Sequence, residues 1–143
     1  MAQVFQNSEI ILTEMSEGSL RLMGETIKHN NMCSRVKTEN LNWGEDAGKM
    51  YKFREMKLDF IIGSDIIYIE QAFQLLAETI LQLSSQDTKT IIANADHGNL
   101  SKFEEFIRSG PYSQKLLLQE IGKEWQHELF QADDIKIYLI QPI

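Results

Sequence analysis

The sequence has a single cysteine, two prolines and an excess of acidic over basic side chains. A lone cysteine, Cys33, excludes a disulfide framework and a cysteine-based metal site. With 14 basic and 21 acidic residues the formal net charge is −7, which argues against a nucleic-acid partner because phosphate contacts need a basic surface. No apolar run approaches the roughly 18 residues of a membrane helix, so we expect no membrane partner.

The remaining composition is that of an ordinary folded domain. Apolar residues make up 43% of the chain, which excludes disordered and fibrous classes. A length of 143 residues corresponds to one domain with a single core. The N-terminus lacks a basic segment followed by an apolar stretch and therefore does not read as a signal peptide. We expect a soluble domain in the cytoplasm or nucleus.

Segments with the pattern of strands alternate with segments with the pattern of helices. Strands are predicted at 9–13, 36–41, 58–62, 88–95, 125–130 and 135–140, the last two joined by a hairpin turn at 131–134. Helices are predicted from Ser16 to the stop at Asn30-Asn31, and at 71–83, 100–108 and 116–121, with a loop or irregular helix at 45–57. This order indicates an α/β sheet, and the continuous apolar run at 58–62 is typical of a sheet covered on both faces.

Polar residues follow the predicted strands at the points where ligands bind in open α/β sheets, beyond the carboxyl ends. These positions carry, in chain order, Glu14, Asn42-Trp43, Ser64-Asp65 and Asp96-His97. A carboxylate at Glu14 can accept hydrogen bonds from both hydroxyls of a ribose, while Trp43 can lie against adenine and Asn42 can bond its edge. The alternatives are that Glu14 is an exposed charge at a helix N-terminus and that Trp43 is a core residue.

The segment Asp65-Ile66-Ile67-Tyr68 places a carboxylate and a phenol three positions apart, just past a buried strand and a glycine. In a turn that enters a helix, this spacing directs both groups to the same side, toward the ligand crevice. The alternative is structural: Ser64 or Asp65 caps the following helix and Tyr68 only packs. Both interpretations remain open at this point.

Three segments together resemble a known family: IILTEMSEGSLRLMGETIKHN, VKTENLNWGE and LDFIIGSDIIYIEQAFQLLAETI. In this order and spacing they are similar to the seven-strand, S-adenosylmethionine-dependent protein-lysine methyltransferases of methyltransferase-like family 16. The resemblance covers residues 9–83 and extends more loosely to the C-terminus. Its most specific parts are Trp43-Gly44 and the four residues from Asp65 to Tyr68.

The resemblance implies a Rossmann-like sheet, S-adenosyl-L-methionine as the cofactor, and methyl transfer to a lysine side chain of a partner protein. It implies that Asp65 and Tyr68 are the catalytic pair, shaping the channel for the lysine. It also implies that four residues bind the cofactor: Glu14 at the ribose, Asn42 and Trp43 at the adenine, and Ser64 in the pocket wall. No metal is needed, because the methyl group leaves a sulfonium ion that is already charged.

The sequence departs from the family where the glycine-rich turn is expected. In this architecture the turn precedes the ribose-binding acid by about 20 residues, whereas only 13 residues precede Glu14. No Gly-x-Gly pattern occurs in the sequence. We therefore expect residues 1–143 to form a single partial methyltransferase domain that starts at the second strand and lacks the first strand and the glycine-rich loop.

Three further interpretations compete with a catalytic methyltransferase. The chain could be a non-catalytic remnant that acts as a protein-binding module. A nicotinamide-dependent dehydrogenase fragment would share the acid after a strand, but it does not explain Trp43-Gly44 or the pair Asp65 and Tyr68. The stretch Ala95–Asn99 resembles a metal-binding motif of cofactor-independent phosphoglycerate mutases, but it lacks the further ligands of a two-metal site and reads as a polar turn.

Overall fold

Strands alternate with helices in the computed structural model, which describes residues 7–44, 53, 55–128 and 131–143. The elements are β1 (Ile10–Glu14), α1 (Glu17–His29), β2 (Val36–Asn40), β3 (Phe60–Ser64), α2 (Phe73–Leu83), β4 (Lys89–Ala95), α3 (Leu100–Arg108), β5 (Leu116–Glu120) and β6 (Ile135–Pro142). Short 3₁₀ turns lie at Glu70–Ala72 and Lys123–Trp125. The chain forms two units, Met1–Asp46 and Ala47–Ile143, and each has its own sheet.

The first unit contains a β-α-β arrangement. Strands β1 and β2 are parallel, with Glu14 opposite Asn40 at their carboxyl ends, and α1 connects them. The hydroxyl oxygen of Ser16 accepts the Ser19 N–H at 3.4 Å and thereby caps α1 at the predicted helix start. The buried apolar side chains of this unit belong to Ile27, Val36 and Leu41.

The second unit is built on a mixed sheet in the order β3-β4-β6-β5. Strands β3 and β4 are parallel, with Ser64 opposite Ala93, so their carboxyl ends meet at one edge of the sheet. Strand β6 runs antiparallel to both of its neighbours, β4 and β5. Helix α2 connects β3 to β4, and α3 follows β4.

The core of the second unit forms where α2 and α3 pack together with the sheet. The predicted helix at 71–83 is confirmed as α2, and four apolar residues at helical spacing are buried along it: Phe73, Leu76, Ile80 and Leu83. Helix α3 contributes Leu100, Phe103 and Ile107 at helical spacing. The rings of Phe73 and Phe103 meet edge to face, with their centroids 5.1 Å apart. No helix in the described ranges is long and apolar enough to cross a membrane.

The predicted helix at 116–121 is wrong, because Leu116–Glu120 forms strand β5. Its side chains alternate: Leu116 and Leu118 are buried, whereas Leu117 is exposed. A run of three leucines fits a helix or a strand equally well by local pattern. The deciding interaction is the antiparallel pairing of β5 with β6, which the local sequence does not encode.

The predicted strand at 125–130 and its hairpin turn at 131–134 are also wrong for the part that the structure describes. Lys123–Trp125 is a 3₁₀ turn, and β6 pairs with β4 and β5 instead. The Gln131 side chain donates to the carbonyl oxygens of Lys123 and Gln126, at 2.9 Å and 3.2 Å, and so closes a loop. Most of the predicted loop or irregular helix at 45–57 lies outside the described residues.

A polar network ties α3 to β6 beside the core. The Tyr138 side chain is fully buried, and its hydroxyl donates to Glu104 Oε1 at 2.7 Å. Lys136 Nζ donates to the same oxygen at 2.9 Å. Burial pushes the pKa of Glu104 upward, but the hydrogen bonds from Tyr138 and Lys136 outweigh it and hold the pKa below its usual value. The carboxylate is therefore stabilised in its ionised form.

We expect Tyr138→Phe to lower the free energy of unfolding by about 1.5–3 kcal/mol at neutral pH, the range for a hydrogen bond to a charged group. The folded-state pKa of Glu104 is depressed, so its contribution is present above the usual value near 4.5 and is lost as the pH falls through the folded pKa. Urea unfolding of both proteins between about pH 7 and pH 3 measures this. A stability difference that is independent of pH would contradict the account.

Candidate functional site

The carboxyl ends of β1 and β2 place Glu14 beside the turn that carries Asn42 and Trp43. The Leu41 N–H donates to the Glu14 carbonyl oxygen at 3.1 Å, which continues the parallel pairing past Asn40. Trp43 is half-buried and lies in a turn with Gly44, whose φ of 77° favours glycine. The first unit therefore brings together the three residues expected at the adenosine part of the cofactor.

The carboxylate of Glu14 is oriented by the backbone that follows it. Its Oε1 accepts the N–H groups of Met15 at 2.9 Å and Ser16 at 3.0 Å. Glu14 is half-buried and precedes the helix cap Ser16, while Glu17 is the acidic residue of the first helical turn. The alternative of an exposed helix charge therefore describes Glu17 better than Glu14.

In the second unit Asp65 follows β3 in a left-handed backbone conformation, with a φ of 54°. Its N–H donates to the Ala93 carbonyl oxygen at 2.8 Å, so the residue is held against β4 despite this unfavourable geometry. A strained residue that is not glycine, at the carboxyl end of a strand, is a marker of a functional site. Asn31 and Lys57 also have a positive φ, and of these three residues Asp65 is the one that directly follows a strand.

The capping alternative for Ser64 and Asp65 is wrong. The first helical turn begins at Glu70 after the cap residue Ile69, and α2 begins after Ala72. The residues at these two N-cap positions, Ile69 and Ala72, make no side-chain capping hydrogen bond. The segment from Asp65 to Ile69 is not helical, so the relation of Asp65 to Tyr68 does not come from helical spacing.

A buried amide, Asn94, fixes this segment instead. Its Oδ1 accepts the Ile67 N–H at 2.7 Å, and its Nδ2 donates to the Ala95 carbonyl oxygen at 2.7 Å. Asn94 is 1% exposed and Ile67 is fully buried. Asn99 Nδ2 adds a hydrogen bond to the Tyr68 carbonyl oxygen at 3.0 Å. These contacts hold the backbone while the Tyr68 side chain remains 53% exposed.

Sequence reasoning missed Asn94, although the strand TIIANA carried a signal. A polar residue at a buried strand position must find hydrogen-bond partners, because an unsatisfied buried amide is unfavourable. Thr90, Ile92 and Asn94 form the buried face of β4, so Asn94 continues an otherwise regular pattern. The sequence could indicate that this amide has partners, but not that the partner is the backbone of Ile67.

The turn after β4 brings His97 next to Asp65. His97 Nε2 lies 2.9 Å from Asp65 Oδ1, and the two side chains are 49% and 55% exposed. Asp96 Oδ1 accepts the Gly98 N–H at 2.8 Å, and Gly98 has a φ of 82°. The predicted polar turn is thus confirmed, and it also places an imidazole against Asp65, a contact that the sequence did not predict. In residues 7–44, 53, 55–128 and 131–143, no group of three or more potential ligands could hold a metal ion.

The fold of these units is that of the Rossmann-like methyltransferases, which confirms the predicted fold class. The N-terminal domain of human METTL16 in complex with SAH is similar, with a TM-score of 0.64 and 13% identity over 98% of this chain and 54% of that chain. The fibrillarin pre-rRNA processing protein of Methanococcus jannaschii has a TM-score of 0.61 and 12% identity over 99% of this chain and 59% of that one. Identities this low establish the fold alone.

Residues 1–109 match the lysine methyltransferase family, and the chain belongs to that family. Protein N-lysine methyltransferase METTL21A of Xenopus tropicalis is 38% identical over 60 residues, which are 42% of this chain and 26% of the relative. EEF1A lysine methyltransferase 3 of Xenopus tropicalis is 26% identical over 86 residues, covering 54% of this chain and 37% of the relative.

The matched part therefore spans between a quarter and two fifths of these curated relatives. The family membership confirms the resemblance found in the sequence, and with it S-adenosyl-L-methionine as the family's cofactor. The roles of the individual residues Glu14, Asn42, Trp43, Ser64, Asp65 and Tyr68 stay predictions.

We expect Asn94→Ala to lower the free energy of unfolding by about 2–4 kcal/mol, because it removes hydrogen bonds and leaves the buried Ile67 N–H unsatisfied. Asn30→Ala is the matched control: its amide donates to the Thr26 carbonyl oxygen at 2.8 Å in an exposed position. That control should change stability by less than about 1 kcal/mol. Urea unfolding of both variants measures the difference, and equal small effects would contradict the role of Asn94.

We also expect Asp65→Gly to be more stable than Asp65→Ala by about 1 kcal/mol, because only glycine adopts a positive φ without steric strain. The exposed contact with His97 contributes little to stability, so removing it affects both variants equally. Thermal unfolding of the two variants side by side measures the difference. An alanine variant that is as stable as the glycine variant would show that Asp65 carries no backbone strain.

Proposed function

We propose that this chain acts in S-adenosyl-L-methionine-dependent methyl transfer to a lysine side chain of a partner protein. The observation that carries the proposal is the Asp65–Tyr68 segment, whose carboxylate and phenol are exposed on a backbone fixed by Asn94. Membership of the lysine methyltransferase family supports the same chemistry. We assign the adenosine-binding role to the first unit and the lysine-facing role to the second.

The residues at the end of β1 and β2 fit the adenosine part of the cofactor. Glu14 Oε1 is engaged by two backbone N–H groups, which fixes the direction of the carboxylate and leaves Oε2 to accept from ribose hydroxyls. The half-buried Trp43 offers an aromatic surface for adenine, and Asn42 offers an amide for its edge. When bound, the cofactor supplies an electrophilic methyl group on a sulfonium ion.

At the end of β3, the residues of the second unit face the amine that accepts the methyl group. Ser64 is exposed there and is proposed to line the cofactor pocket. The carboxylate of Asp65 attracts the lysine ammonium, and the hydroxyl of Tyr68 can hydrogen-bond the amine once it is neutral. Positioning the amine and excluding water lower the activation barrier by up to several kcal/mol. The upper range for ideally oriented reactants is about 7–11 kcal/mol.

The charge of the chain supports a protein substrate with a basic segment around its lysine. A formal net charge of −7 attracts cationic segments over long range and disfavours nucleic acid. The competing role, a non-catalytic protein-binding module, rests on the absence of a Gly-x-Gly pattern from this sequence. Binding of the cofactor separates the two roles.

Calorimetric titration with S-adenosylhomocysteine, the product form of the cofactor, tests the proposal. We expect Glu14→Ala to weaken binding about 10- to 100-fold, because a hydrogen bond to a carboxylate contributes about 1.5–3 kcal/mol. The exposed acid Glu17, in the first turn of α1, provides the matched control Glu17→Ala, which should leave the affinity unchanged.

A second measurement reports on Trp43 alone. The chain has two tryptophans, and Trp125→Phe removes the other one. In that variant we expect S-adenosylhomocysteine to change the fluorescence of Trp43. The result against the proposal is that about millimolar ligand produces neither heat nor a fluorescence change, which means a binding free energy weaker than about −4 kcal/mol. This result would reject the methyltransferase role for this chain and favour the protein-binding module.

A further inference from the structure

The pair Asp65 and His97 lies at the carboxyl ends of two neighbouring parallel strands, β3 and β4. The imidazole Nε2 and the carboxylate Oδ1 are 2.9 Å apart, which is hydrogen-bond distance. Neither the family resemblance nor the proposed function assigns a role to His97. About half of each side chain is exposed, so a substrate group can reach the pair.

The hydrogen bond between His97 Nε2 and Asp65 determines whether the other ring nitrogen, Nδ1, carries a proton. A carboxylate only accepts hydrogen bonds, so in the neutral imidazole Nε2 carries the proton and donates it to Asp65. Nδ1 then has a free lone pair and is the basic atom of the ring. The same contact occupies Asp65 Oδ1 and leaves Oδ2 to attract the substrate ammonium.

Both members of the pair are held by backbone contacts. Asp65 is fixed by its N–H bond to Ala93, and the turn of His97 is closed by the Asp96 side chain on Gly98. A rigid support of this kind keeps a reactive group in its productive geometry. Other ionisable groups on the adjoining segments are Tyr68, Asp96 and the pair Glu70 and Lys102, whose charged atoms are 2.8 Å apart.

We propose that His97 removes the proton from the substrate lysine and that Asp65 is the positioning residue that fixes its tautomer. This inference rests on the proposed function. The lysine ammonium transfers one proton to Nδ1, which gives a neutral amine and an imidazolium paired with the Asp65 carboxylate. The amine's lone pair then forms the N–C bond as the S–C bond of the sulfonium breaks, and the imidazolium releases its proton to water.

The proton transfer from lysine to an imidazole has an energetic cost that the site must reduce. Between free lysine and histidine the proton transfer is uphill by about four pKa units. Desolvation of the bound ammonium by the partner protein narrows this gap, because burial disfavours the charged form. A carboxylate alone would stabilise the ammonium and oppose its deprotonation. Adding an imidazole beside that carboxylate provides an acceptor for the proton.

Nitrogen-15 NMR of the 143-residue chain tests the geometry without any turnover. We expect His97 to show the Nε2–H tautomer in the wild type and to lose this preference in Asp65→Gly. On titration with Nα-acetyl-lysine amide, the Nδ1 signal of His97 should shift, while His29 and His127 serve as internal references. An absent shift, or equal shifts of all three histidines, would overturn the inference.

Methylation kinetics with a lysine-containing peptide test the role in catalysis. We expect His97→Gln, which keeps an N–H donor toward Asp65 but has no basic nitrogen, to lower kcat by about 100-fold or more. KM for the peptide and the affinity for S-adenosylhomocysteine should stay the same, and His29→Gln should behave as wild type. Unchanged kcat in His97→Gln would overturn the inference. A wild type that binds no S-adenosylhomocysteine instead refutes the proposed function, and the NMR shift still decides whether His97 meets a lysine amine.

Discussion

The side chain of Asn94 forms hydrogen bonds with the backbone of Ile67 at the point where the parallel pairing of β3 and β4 ends. The 2.7 Å bond from the Ile67 N–H replaces a ladder bond with a side-chain bond, in a position where no solvent reaches. Because both groups are buried, an alternative placement of the segment would leave them unsatisfied. The position of Asp65 and Tyr68, and hence the chemistry proposed for them, depends on this contact.

The same contact explains how an unfavourable backbone conformation persists at Asp65. A positive φ at a residue with a side chain costs about 1–2 kcal/mol, less for aspartate than for most residues. This cost is offset by hydrogen bonds from the segment to β4 and to the turn after β4. They are made by Asp65, Ile67 and Tyr68. In this conformation the Asp65 carboxylate lies 2.9 Å from His97 Nε2.

Much of the fold could be predicted from the sequence, because its signals are local. Helix α2 has an apolar face at helical spacing, and β1 to β4 are short runs bounded by polar or glycine residues. The prediction for 116–121 is wrong because strand pairing decides it: Leu116–Glu120 is a strand only through its pairing with β6. The described residues of 125–130 begin with the end of a 3₁₀ turn, Lys123–Trp125, and form no strand. For the site, strand ends identified Asp65, but its contact with His97 joins residues 32 positions apart, which no local pattern encodes.

The negative net charge of the chain and its family membership both favour the proposed transfer of a methyl group to a lysine amine. The lysine methyltransferase family defines a reaction in which a lysine amine is the acceptor. An acidic chain with an exposed carboxylate, phenol and imidazole around β3 and β4 offers a surface that a cationic side chain would approach. In the first unit the Glu14 carboxylate is held by two backbone N–H groups, and its proposed role at the ribose stays a prediction.

The proposed lysine site depends most directly on the fixed position of the Asp65–Tyr68 backbone, and native-state hydrogen exchange at the Ile67 amide measures this. If Asn94 holds this amide in the core, it exchanges as slowly as the amides of β4, which open only with the unit as a whole. Exchange at the rate of an exposed turn would show that the segment moves freely, and would contradict a preorganised lysine site.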